Sequence, residues 1–310
     1  MSKLDWASAA WLALVLAGVA AVGGSATSPE PVSAAISGTR AKIVRDASGR
    51  ELPVSPYRRI VSTSLLADEL LLELAEPERV LAFSRYARKQ HPERQRFRTG
   101  IEFAGPGDVE RLLEAKVDLL LVNNRGAESE LARARAAGIA VFDLGEMRGL
   151  ATLQRSMLSL ASLLGDAARG ERLWQRFDRR MRAVAADIPR EHRKPALYVA
   201  TYSGKLFGGT RGTSYHDVLE AAGLIDLAAA RYRDWPQYDP EQVLELDPAL
   251  IVTSTGMARE LCAGQWLAPL RACREREQRV IELPAALLDD PGLLMLDAAE
   301  ALRALAYPLR

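Results

Sequence analysis

The residues of this chain best suited to chemistry are of types that bind a charged or aromatic ligand. The segment RYARKQHPERQRF, residues 85–97, is rich in Arg and Lys, has a single Glu, and interleaves Tyr86, His91 and Phe97. A solvated charged loop is one reading of such a run. A mouth for an anionic or polar ligand is the other, because the run follows a strand end. Arg85, Tyr86 and Arg88 are its candidate contacts. A second set lies far along the chain: Tyr202, Phe207, Arg211, Trp235 and Tyr238. Trp235 and Tyr238 flank Pro236 in a stretch read as a loop, where a large aromatic has less reason to be core than on a helix.

Other chemistries find weaker support. GKLFGGTRGTS, residues 204–214, fits neither the P-loop spacing nor the dinucleotide fingerprint, and reads better as a tight hairpin or a flexible approach to a ligand. Ser214-Tyr215-His216 lacks the glycines of a nucleophile elbow. With three His in the whole chain (His91, His192, His216), a multi-histidine metal site is not expected. No constellation argues for catalysis, so the expectation is a protein that is not an enzyme and has no resident metal or cofactor. The two cysteines, Cys262 and Cys273, read either as free thiols or as a disulfide. Export would favour pairing, closing a loop worth up to roughly 3 kcal/mol.

These residues must be positioned by a scaffold, and a repeat shows its plan. DVERLLEAKVDLLLV, residues 108–122, returns 131 positions later as DPEQVLELDPALIVT, residues 239–253. Asp108 matches Asp239, Glu110 matches Glu241, and Leu119 matches Leu250. Each copy reads as a helix running into a buried strand, and a unit used once per half suggests two similarly built lobes with a cleft between them. Glu110 and Glu241 could be ordinary first-turn acids that complement a helix dipole. As an equivalent pair on two lobes they are candidate docking carboxylates for a protein partner.

The rest of the chain alternates strands and helices, which implies parallel, helix-covered sheets. The expected fold class is α/β, with two Rossmann-like lobes, a central parallel sheet in each, joined by one long backbone helix. The 310 residues, 48% hydrophobic, suffice for two such domains, each with its own core. The lobes are placed at 41–165 and 189–310. A helix over 166–188, of roughly 22 residues and about 33 Å, connects them. A formal net charge of +1 gives no reason to expect nucleic acid as a partner, and a monomer is expected.

Lys3, the apolar run Ala9 to Val22 and Gly23-Gly24-Ser25-Ala26 follow the order of a secretory signal. Residues 1–26 are therefore expected to be a signal peptide, with cleavage after Ala26 or else Ala35, and residues 27–40 a linker. An uncleaved anchor is the alternative. No Cys follows the run, so a lipid anchor is not expected there.

Taken together, these segments resemble the periplasmic substrate-binding proteins of ABC importers for iron chelates and vitamin B12. KIVRDASGRELPVSPYRRIVSTS looks like that family's opening hairpin and first strand. LLADELLLELAEPERVLAFS looks like its next helix and strand, with Glu69 in the usual acidic position. VERLLEAKVDLLLV and PEQVLELDPALIV resemble its two "E-x-[IVL]-L-x-L-x-P-D-L" segments, and YHDVLEAAGL and LLMLDAAEALRALAYP also fit. The likeness covers about residues 41–308. It implies a periplasmic carrier that captures an iron chelate, siderophore-type, or a corrinoid and delivers it to the transmembrane dimer of an ABC permease. It also implies that Glu110 and Glu241 meet permease arginines. Val117 stands where the family usually has Pro, and Arg98-Thr99-Gly100-Ile101 where haem-binding relatives often have a Tyr. Two rival classes stay open: a membrane-tethered sensor on the same fold, and an enzyme subunit that handles a metal cofactor.

Overall fold

The structure, a computed structural model, describes residues 42–97, 101, 103, 105–123, 128–263, 267–275, 279–289 and 292–308, without the side chains of Arg88 and Gln90. The signal segment and linker expected over residues 1–40 lie outside the described residues.

Ile43–Arg45 (β1) and Glu51–Pro53 (β2) form an antiparallel hairpin. Asp46 shapes its turn, its Oδ1 accepting the N–H groups of Ser48 and Arg50 at 2.9 Å each. The N-terminal lobe then runs Ile60–Ser62 (β3), Leu65–Leu74 (α1), Val80–Ala82 (β4), Arg85–Gln90 (α2), Val109–Glu114 (α3), Leu119–Val122 (β5), Glu128–Ala136 (α4) and Ala140–Asp143 (β6). Its sheet is parallel, in the order β4-β3-β5-β6. Leu150–Leu163 (α5) and Ala167–Ala183 (α6) lead out of it.

The C-terminal lobe begins with Lys194–Tyr198 (β7), Ala200–Tyr202 (β8) and Lys205–Phe207 (β9). Ser214–Ala221 (α7), Leu224–Asp226 (β10), Gln237–Tyr238 (β11), Pro240–Leu246 (α8) and Leu250–Ser254 (β12) follow. Met257–Ala263 (α9), Arg271–Arg274 (α10), Val280–Leu283 (β13), Ala285–Leu288 (α11) and Met295–Ala306 (α12) complete it. Its parallel sheet has the order β10-β7-β12-β13, and β11-β9-β8 make a small antiparallel sheet beside it.

Both parallel sheets therefore have the same construction, with the second strand in chain order at an edge, the first beside it, then the third and the fourth. The strands of the sequence repeat, β5 and β12, hold the same third position. Their preceding helices also end alike. Lys116 and Asp247, 131 residues apart, both adopt left-handed backbone conformations (φ 51° and 39°) and turn the chain into the strand.

Period-two burial assigns the two faces of each sheet. Leu120 and Val122 of β5 pack with Leu112 and Val109 of α3 in a cluster private to the N-terminal lobe. Ile251 of β12 packs with Val243 of α8 in its counterpart in the C-terminal lobe. Leu119 and Leu121 face the other way, as do Leu250 and Val252, and these faces belong to one continuous core. Leu153, Met157, Leu173 and Phe177 of α5 and α6 link its two parts. Each lobe thus has a cluster of its own, and the two also share an apolar layer, which α5 and α6 help to build. Each fully buried Leu in that layer contributes about 1.5–3 kcal/mol, so the lobes are stabilised together.

α6 starts where Asp166 accepts the N–H of Arg169 at 2.9 Å, the N-cap arrangement. It is regular for 17 residues, about 25 Å, and turns carry the chain onward instead of the helix expected to residue 188. The turns bury Ala185 and Ile188, which pack against Gly223. Gly170 lets α6 approach α5, since an added Cβ there would lie 2.4 Å from Cβ of Ala161.

Candidate functional site

The carboxyl ends of the parallel strands are where sheets of this kind present ligands. In the N-terminal lobe, β4 ends at Ala82, two residues before Ser84, the N-cap of α2. The buried Asp68 carboxylate accepts the Ser84 N–H at 2.9 Å and its hydroxyl through a shorter contact. That anchor fixes where α2 starts, and so sets Arg85 and Tyr86 at its first turn. Arg85 is exposed, Tyr86 is half-buried, and the guanidinium carbon lies 5.2 Å from the phenol ring centroid. The run 85–97 is not the loop expected from its charge: it contains α2 and a 3-10 turn over Arg94–Phe97. Phe97 is fully buried, edge-on to Phe83 at 5.3 Å. The side chain of Arg88 lies outside the described residues.

In the C-terminal lobe, β8 and β9 form a hairpin through Ser203 and Gly204 (φ 51° and 73°). Tyr202, at its tip, is 75% exposed, while Phe207 is half-buried. Arg211 is exposed, and Trp235 is 44% exposed.

Tyr238 requires a correction. It was expected in a loop beside Trp235, but it belongs to β11 and is 2% exposed. It packs with Leu197 and Val199 in the lobe's private cluster, edge-on to Tyr232 at 5.3 Å. Its partnering strand, β9, holds it inward, and burial pushes its phenol well above the ordinary value. Tyr238 is a core residue and presents no surface to a ligand.

Three cross-lobe contacts had no signal in the sequence. The N–H of Leu150, at the start of α5, donates to Asp217 Oδ2 on α7 at 2.7 Å. The N–H of Leu293 donates to Glu69 Oε2 on α1 at 2.6 Å. Arg148, in the loop after β6, pairs with Asp234 and lies over Trp235. Each joins residues at least 67 positions apart, so no local pattern could show it.

Glu69 is buried beside His91. His91 Nδ1 accepts the Glu93 N–H at 3.0 Å, and Nε2 lies 3.2 Å from Glu69 Oε1. Burial, then the nearby Asp68 and Asp297, push the Glu69 carboxyl up to about 8, although the Leu293 N–H favours its charged form. A cavity of about 240 Å3 opens where α1, His91–Phe97, α6 and α12 meet, with Glu69 in its wall. None of the proposed ligand contacts lines it.

Glu110 and Glu241 are exposed in the first turns of α3 and α8, following Asp108 and Asp239 at the two N-cap positions. Cys262 and Cys273 are disulfide-bonded, with Cα atoms 5.2 Å apart, and tie α9 to α10. Among the described residues, no group of three or more His, Cys, Asp or Glu is arranged to hold a metal ion. Among them too, no helix is long and apolar enough to cross a membrane.

Comparison with known proteins agrees with this architecture. A cobalamin-binding protein of Halobacterium salinarum is 25% identical over 236 residues, covering 74% of this chain. The chain spans 63% of the length of that curated relative. A solved possible iron-binding (periplasmic solute-binding) protein from Staphylococcus epidermidis superposes with TM-score 0.71 at 16% identity, over 82% of this chain and all of that one. A periplasmic heme-binding protein from Roseiflexus superposes with TM-score 0.64 at 24% identity, over 81% of this chain and 99% of that one. These likenesses show the fold. The family model described as periplasmic binding protein matches residues 60–287, which span both parallel sheets and the helices between them, and the chain accordingly belongs to that family.

Proposed function

We propose that this chain is an exported carrier that captures a bulky iron chelate or corrinoid between its lobes and delivers it to an ABC permease. The observation that carries this reading is the duplicated lobe. Two parallel sheets of identical strand order each display a carboxylate, Glu110 or Glu241, at one equivalent exposed helix position. Matched charges of this kind suit a partner that is itself a pair of like subunits. Cargo contacts are assigned to Arg85, Tyr86, Tyr202, Phe207, Arg211 and Trp235, which offer aromatic faces and guanidinium forks. The relatives named as cobalamin- and heme-binding support the class of cargo. Residues 1–26 would act as the export signal, and the carrier would work as a monomer without a resident cofactor and without catalysing a reaction.

The test is a tryptophan-fluorescence titration of the mature protein with cyanocobalamin, a ferric hydroxamate, a ferric catecholate and haemin, corrected for ligand absorbance. Saturable submicromolar binding of one is expected and names the cargo. Binding of none overturns the reading.

A further inference from the structure

Arg148 leaves the carboxyl end of β6 and meets three groups of the other lobe. Its guanidinium pairs with the Asp234 carboxylate, its Nε donates to the Gly212 carbonyl at 3.3 Å, and its carbon lies 4.8 Å from the centroid of the Trp235 ring. The nearest charge from its own loop, Glu146, stands 3.9 Å away.

Asp234 is held in place by unusual backbone geometry. It sits at φ 60°, a left-handed conformation that few residues with side chains adopt. Two hydrogen bonds keep it there: its N–H donates to the Arg211 carbonyl, and the Thr210 N–H donates to its carbonyl, both at 3.0 Å. Gly212 makes room for the carboxylate, since an added Cβ would lie 2.9 Å from Asp234 Oδ1. Strained residues with such local support gather at ligand clamps. The same backbone brings together Arg211 and Trp235, two of the assigned cargo contacts.

The ion pair so made is open to solvent, with the Arg148 and Asp234 side chains 35% and 54% exposed. A pair of that kind contributes at most about 1 kcal/mol, so exchanging its carboxylate costs little. The guanidinium is already stacked and oriented, and an arriving oxyanion can take two parallel N–H bonds from it.

Resting on the carrier reading above, we propose that Arg148 receives the oxyanion of the cargo, a carboxylate or a phosphodiester, and that Asp234 holds its place until the cargo enters. Entry then exchanges a cross-lobe ion pair for one between Arg148 and the ligand, with Trp235 as the stacking wall.

Binding of two pairs tests this in the mature chain: haemin against its dimethyl ester, and cyanocobalamin against dicyanocobinamide, which lacks the nucleotide that carries the phosphodiester. Wild type is expected to prefer the anionic member of whichever pair it binds by about tenfold or more. Arg148→Ala should abolish that preference while leaving the neutral analogue's affinity nearly unchanged, and Arg148→Lys should keep part of it. Asp234→Asn, which removes the competitor, should tighten the anionic member alone. The pair that responds tells which oxyanion is held. Equal loss for both members in Arg148→Ala, or no tightening in Asp234→Asn, overturns the assignment while the carrier reading stands. Failure of wild type to bind any of the four overturns this assignment, and the carrier reading falls with it only if the ferric hydroxamate and the ferric catecholate also go unbound.

Discussion

Glu69 of α1 accepts the backbone N–H of Leu293, 224 residues away in the other lobe, at 2.6 Å. The acceptor is a carboxyl whose burial opposes the charge that this bond favours, and burial wins, leaving it near pH 8. Below the ordinary value of 4.5 the group is protonated in both folded and unfolded chains, and its contribution is fully present. As pH rises from there through about 8, the unfolded chain ionises freely and that stability is lost. Thermal melts between pH 5 and pH 9 should therefore fall less steeply for Glu69→Gln than for wild type, with the two closest at the acid end. Parallel curves would show that Glu69 is ionised throughout.

Lys116 and Asp247 end their helices in the left-handed region without the freedom of glycine. That conformation costs a side-chain-bearing residue roughly 1–2 kcal/mol, partly offset in a Gly variant by its looser unfolded chain. Lys116→Gly should stabilise the fold by about 1 kcal/mol and Asp247→Gly by less, because Asp tolerates the region better. Urea melts read this directly, and destabilisation by both would contradict it.

Removing both exposed helix carboxylates, Glu110→Ala with Glu241→Ala, should lower permease-dependent uptake sharply while cargo affinity stays within about twofold, as rim charges act on partner association. Uptake at the wild-type rate would remove the docking role from this pair.

Replacing Cys262 and Cys273 by Ser opens a loop whose ends are 11 positions apart. The expected loss is roughly 3 kcal/mol if chain entropy dominates. Equilibrium unfolding of the double variant measures it, and reduction of the wild-type protein should produce the same shift.

What could be read from the sequence was what depends on near neighbours. The hairpin around Asp46, the helix that Asp166 caps and the two repeat units are set by patterns within a dozen residues. α2 has no apolar stripe to mark it: its sequence is RYARKQ, and among its described side chains only Ala87 is buried in the core. Tyr238 was misplaced because β11 pairs with β9, thirty residues earlier, and only that pairing turns the ring inward. The pairing of Arg148 with Asp234 was hidden for the same reason, as two ordinary surface residues 86 positions apart. The outline of a binding protein was legible, while most of the contacts that would shape its ligand mouth were long-range and were not.

Two of the three cross-lobe contacts, those made by buried or half-buried carboxylates to backbone N–H groups, run in opposite directions. Glu69 of the first half meets a helix start in the second, and Asp217 of the second half meets a helix start in the first. With matching strand orders, this is nearly the relation found in a symmetric homodimer, where each subunit gives what it also receives. The chain is in effect a dimer with its halves tethered by α5 and α6. Either half made alone would leave its carboxylate without the other half's N–H, its helix start without that carboxylate, and the apolar surface it shares with the other half open to water. Such halves would be expected to find each other again, so co-expressed fragments split between α6 and β7 should reassemble into one particle.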